Sequence, residues 1–106
     1  MKSEEGNAAM AVLRITRFTI DPADEAEMRA RRTTLLAKVH EAFPNRLTGT
    51  QLVKVDDETW FDAWRWASRD AYAEVIAVAP TLPEAGNAFA ITKDPSLELG
   101  DIIEES

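Results

Sequence analysis

Residues 59–66 read Thr59-Trp60-Phe61-Asp62-Ala63-Trp64-Arg65-Trp66, a stretch dense in aromatic side chains and bounded by turn-forming residues. Aromatic and β-branched residues suit a pleated, half-buried surface, so this stretch is read as a strand. Side chains alternate across a strand. Trp60, Asp62, Trp64 and Trp66 therefore share one face, and Phe61, Ala63 and Arg65 share the other. Just upstream, Thr50 to Val55 forms another strand. Asp56-Asp57-Glu58 is the turn of an antiparallel hairpin.

Working outward, Ala11 to Ile20 (AVLRITRFTI) is the first strand. Val12, Arg14, Thr16 and Phe18 share one side of it, with Leu13 and Ile15 on the other. Asp21-Pro22 caps and opens a helix that runs to about Phe43 and stops at Pro44-Asn45. Glu25–Arg29 and Glu27–Arg31 are spaced to pair along it. Its apolar stripe holds Met28, Leu35, Leu36, Val39 and Phe43, with Arg32 inside the stripe. After the hairpin, Ser68 caps a helix from Arg69 to about Ala79. Thr81-Leu82-Pro83-Glu84 has a capping-box pattern and opens a short helix to about Ala90. Lys93-Asp94-Pro95 is a loop, and Leu97 to Ile103 is the last strand. The order β-α-β-β-α-(α)-β predicts an α+β, ferredoxin-like split β-α-β unit. It has a four-stranded antiparallel sheet, with strands one and three central.

The chain has 106 residues, 12 Lys+Arg against 19 Asp+Glu and a formal charge of −7. That length allows one core. The division is a flexible leader over 1–8 and a single domain over 9–106. The acidic balance argues against nucleic acid, which demands a basic patch. No apolar run approaches the roughly 20 residues of a membrane helix. The start does not resemble a secretory signal, so the expected location is cytoplasmic. There is no cysteine, hence no disulfide, thiolate nucleophile or metal–sulfur site, and His40 is the one histidine. No metal site is expected. A Ser–His–Asp triad would have to use His40, which falls near the end of the first helix, where a surface role fits better. Scattered glycines give no phosphate loop. Arg29 and Arg31 beside Arg32 are balanced by neighbouring glutamates.

Two features point to function. Both central strands carry apolar residues on both sides, whereas a sheet with helices on one side should have a polar outer face. A homodimer with sheets packed face to face accounts for this. In addition, Arg32 in an apolar helix stripe and Asp62 between tryptophans are neighbours if the Trp face is the helix-facing one. They form either a structural ion pair or a polar cluster in an aromatic-walled pocket.

The element order and the segment Trp60–Ser68, ending Trp66-Ala67-Ser68 with Tyr72 one turn into the next helix, resemble the antibiotic biosynthesis monooxygenase superfamily. The resemblance spans about Ala9 to Ile103. It implies a dimeric α/β-barrel with a ligand cavity between sheet and helices. It also implies oxygenation of aromatic polyketides without metal or flavin, the substrate anion reacting with dioxygen directly. A haem-degrading branch uses an Asn, a Trp and a His. Trp66 matches its Trp, Thr16 stands in place of its Asn, and residues 68–90 contain no His, which disfavours haem.

The expected function is therefore a cofactor-independent monooxygenase-like protein acting on a small aromatic or polyketide-type molecule with dioxygen. The alternatives are a non-catalytic ligand-binding or interaction module, or a polyketide cyclase or isomerase. Asp62 is the candidate base, and Arg32 or Arg14 stabilises an enolate or phenolate. Trp60, Trp64, Trp66 and Phe89 build a flat slot, and Tyr72 and Thr16 complete the candidate ligand contacts.

Overall fold

Asp21 and Pro22 mark where the first strand gives way to helix. The computed structural model describes residues 10–105, so the leader expected over 1–8 lies outside them. Strand β1 (Val12–Thr19) is followed by a 3-10 turn at Pro22–Asp24, where the Asp21 side chain accepts from the Ala23 N–H. Helix α1 (Glu25–Ala42) continues from it. In the connection to the next strand, Asn45 adopts the left-handed region, at φ 68°, which Asn tolerates better than most residues. Strands β2 (Leu47–Lys54) and β3 (Thr59–Trp66) form the hairpin. Helix α2 (Arg69–Ile76) is capped by Ser68, whose Oγ accepts from the Ala71 N–H at 3.0 Å. Helix α3 (Pro83–Ala90) and strand β4 (Lys93–Asp101) complete the chain.

The sheet order is β2-β3-β1-β4, antiparallel throughout, with β1 and β3 central as expected. All three helices lie on the face that carries Trp60, Asp62, Trp64 and Trp66. Two apolar clusters fill the space between. One joins Val12 and Trp66 to Leu35, Val39, Val75 and Ala85, and the other joins Phe18, Ile20 and Trp60 to Met28. Among the described residues, no helix is long and apolar enough to cross a membrane.

Several boundaries differ from the sequence reading. Strand β2 begins at Leu47 rather than Thr50, because Leu47 pairs with Trp66 before a register shift at Gly49. The Lys93-Asp94-Pro95 loop is instead the first part of β4, and Lys93 pairs with Thr19. Proline fits there because β4 is an edge strand whose outer side needs no donor. Helix α2 stops at Ile76, and a 3-10 turn at Ala79–Thr81 leads into α3. The expected capping box does not form. Thr81 Oγ1 donates back to the Val78 carbonyl at 2.7 Å, and Leu82 holds the cap position with no side-chain bond. Glu27 pairs with Arg31 at 2.8 Å as expected, but Glu25 reaches across to Lys54 at 2.9 Å instead of to Arg29.

Among the described residues, no helix covers the outer face of the sheet. Leu13, Ile15, Val53, Phe61 and Ala63 lie there, and Ile15 is 36 % exposed. Arg65 on the same face donates to Thr48 Oγ1 and to the Glu105 carboxylate of the C-terminal tail.

Two measurements test this packing. Trp60 is 4 % exposed and, among the described residues, its indole N–H has no partner. Truncation to Ala is expected to cost about 3–5 kcal/mol in urea denaturation. Trp60→Phe gives up no hydrogen bond and costs less. In the hairpin turn, Asp56 Oδ1 accepts from the N–H groups of Glu58 (2.9 Å) and Thr59 (2.7 Å), which hold its carboxyl below the usual 3.8. A carboxyl depressed on folding contributes stability above its unfolded value and loses it as pH falls through the lower folded value. The stability gap between the protein and Asp56→Ala should therefore be constant at neutral pH and shrink only in acid below about pH 4.

Candidate active site

The alternation of β3 sends Asp62 toward α1, between Trp60 and Trp64 on the same strand. A carboxylate there must be paired. Arg32, on the buried stripe of α1, meets it with both prongs. Nε to Oδ2 is 2.7 Å and Nη2 to Oδ1 is 2.8 Å. The two side chains are only 17 % and 13 % exposed. Such a forked pair is directional as well as strong, so it fixes the position of α1 over the sheet.

Beside this pair a cavity of about 90 Å³ opens between sheet and helices. Strand β1 contributes Arg14 and Thr16, and β3 contributes Asp62, Trp64 and Trp66. Leu35 and Val39 of α1 form an apolar wall, and Phe89 of α3, 44 % exposed, stands at its edge. The Trp64 and Trp66 rings lie 6.0 Å apart at 37°. The cavity is smaller than the roughly 300–1,000 Å³ of ordinary ligand pockets.

The structure brings together seven of the nine residues singled out from the sequence: Asp62, Arg32, Trp66, Trp64, Thr16, Arg14 and Phe89. Trp60 and Tyr72 do not line the cavity. Trp60 belongs to the second core cluster with Phe18, Ile20 and Met28, and Lys54 Nζ sits 5.5 Å from its ring centroid. Tyr72 stands edge-on behind Trp66, with centroids 5.6 Å apart at 66°, and so supports the wall. His40 is exposed in the last turn of α1. Arg31 is held by Glu27 and by the Asn87 carbonyl. Among the described residues, no group of three or more His, Asp or Glu side chains is placed to hold a metal ion.

Sequence reasoning missed Ala79, Ala85, Ala88 and Thr92, which also line the space. The available signal was the alanines of α3 and of the 3-10 turn before it. Small side chains facing bulky indoles leave a gap. The Thr92 hydroxyl donates to the Phe89 carbonyl at 2.8 Å, which steadies that wall.

The ion pair predicts a particular mutational pattern. Removing one partner of a largely shielded pair leaves an unpaired charge, so Arg32→Met is expected to cost about 1–3 kcal/mol, less than for a fully buried pair. The double variant Arg32→Met/Asp62→Leu should recover most of that loss. Chemical denaturation of the two variants and the unaltered protein gives both numbers.

No family model and no curated protein matches the chain. Solved structures do. SnoaB, a cofactor-independent oxygenase from Streptomyces nogalater, is 22% identical with a TM-score of 0.69, over 92% of this chain and 97% of that one. A protein from Caulobacter crescentus CB15, provisionally named an antibiotic biosynthesis monooxygenase, is 19% identical with a TM-score of 0.73, over 95% and 98%. A Mycobacterium tuberculosis protein, Rv0793, is 20% identical with a TM-score of 0.65, over 91% and 98%. The chain thus has the ferredoxin-like α+β fold of the antibiotic biosynthesis monooxygenases.

Proposed function

We propose that this protein is a monooxygenase-like enzyme for a small aromatic or polyketide-type molecule, working without metal or flavin. One observation carries the reading: the Arg32–Asp62 pair borders an apolar cavity walled by Trp64, Trp66 and Phe89. The flat walls suit a ring system. Asp62 accepts a proton from an activated carbon, and Arg32 keeps that carboxylate oriented. The resulting substrate anion supplies the electrons that dioxygen takes up. For a methylene between aromatic rings, the carbon loses two hydrogens and gains one oxygen atom as a carbonyl. The second oxygen atom leaves as water.

A second reading has its own support. Arg32 engages both oxygens of Asp62, so neither oxygen is free to face a substrate proton without breaking one of these bonds. The same cavity would then bind an aromatic ligand without turnover. An oxygen electrode with a panel of anthrone- and quinol-type substrates separates the two. Catalysis predicts dioxygen uptake above the uncatalysed rate, reduced about a hundredfold or more in Asp62→Asn, the usual range for losing a general base. Uptake equal to the background, with ligand-induced thermal stabilisation, points to binding alone.

We further propose that two copies pack through the outer sheet face. Leu13, Ile15, Phe61 and Ala63 supply the apolar centre there, with Arg17 and Glu98 on the same face as complementary charges at the rim. Sedimentation equilibrium should give a dimer at micromolar concentration and a monomer for Ile15→Asp. A monomeric unaltered protein overturns this.

A further inference from the structure

The charges around the cavity do not cancel. Two guanidinium groups and one carboxylate border it: Arg14, Arg32 and Asp62. Asp62 is consumed by Arg32 through both oxygens. Arg14 is left over. Among the described residues it makes no hydrogen bond, meets no carboxylate within salt-bridge distance and lies over no aromatic face, and its Nε is buried without a partner. On the neighbouring edge strand, Asp101 pairs with Val12 in the sheet register, but its carboxylate is already bonded to Arg69 at 2.8 Å.

Position sharpens this. Arg14 and Thr16 share the helix-facing side of β1, opposite Trp64 and Asp62 respectively. The unpaired cation thus lies beside the Trp64 wall. Arg14 as a whole is half-buried, and the Nε that is shut off from water without a partner costs stability. A guanidinium offers a planar fork that matches a carboxylate with two parallel bonds.

We propose that Arg14 is the carboxylate receptor of this cavity, making it selective for flat aromatic acids over neutral molecules of the same shape. The ring lies against Trp64 and the acid group faces Arg14, with the Thr16 hydroxyl as a neighbouring donor. The inference rests on the cavity being the ligand site, as proposed above, and does not depend on oxygenation.

Calorimetric titration with 1-naphthoate and the isosteric 1-naphthamide tests it on the intact chain. The protein should bind naphthoate at least about tenfold more tightly, the size of one charge-assisted hydrogen bond. In Arg14→Gln that preference should vanish through loss of naphthoate affinity alone, and Arg14→Lys should keep part of it. Without ligand, Arg14→Gln should melt no lower than the unaltered protein, because it removes an uncompensated charge. A merely structural arginine would lower the melting point. Equal affinity for the two probes, binding of neither, an equal loss of both in Arg14→Gln, or a lower unliganded melting point each overturns the proposal. Absent dioxygen uptake with the charge preference intact would overturn only the catalytic reading.

Discussion

The two-residue period of β3 is the constraint on which the rest depends. It forces a carboxylate onto the same face as three indoles, and that face must be covered. Asp62 can be buried there only if a cation comes with the covering layer, and Arg32 is that cation. The pair therefore ties helix position to sheet register. Apolar contacts from Leu35 and Val39 to Trp66 and Val12 then close the core around it. A greasy helix stripe alone would permit sliding, whereas a forked bond between two named groups does not.

Much of this was legible because it follows from short-range periodicity. The alternation in β1 and β3, the Asp21-Pro22 helix start and the Ser68 cap each have a local cause, and each stands in the structure. The neighbourhood of Arg32 and Asp62 also followed from pattern, since each was a charge in an apolar row. What escaped has non-local causes. The start of β2 depends on Leu47 finding Trp66, and the start of β4 on Lys93 finding Thr19. Both are pairings between distant segments. Thr81 and Glu84 had capping-box spacing, but the preceding 3-10 turn captured the Thr81 hydroxyl first. Trp60 was indistinguishable from Trp64 by strand face alone. It is the end of the strand on which each sits, over Met28 or over the alanines of α3, that makes one core and the other wall.

The cavity exists because large and small residues oppose one another. Indoles project from the sheet, and alanines face them from the 3-10 turn (Ala79) and from α3 (Ala85 and Ala88). A sequence tuned only for stability would fill such a gap and would not leave Arg14 beside it without a partner. Both departures from good packing fall at one place. That coincidence links the physics of the core to its use.

The borders of the sheet carry a last consequence. On one side β2 is broken by a register shift at Gly49. On the other, β4 contains Pro95 and loses register with β1 between Arg17 and Thr19. Among the described residues, both rims are therefore interrupted, which shortens the row of unsatisfied amides onto which a foreign segment could zip. A chain with so much aromatic character in its middle strands is thereby shielded from growing sideways into fibrils.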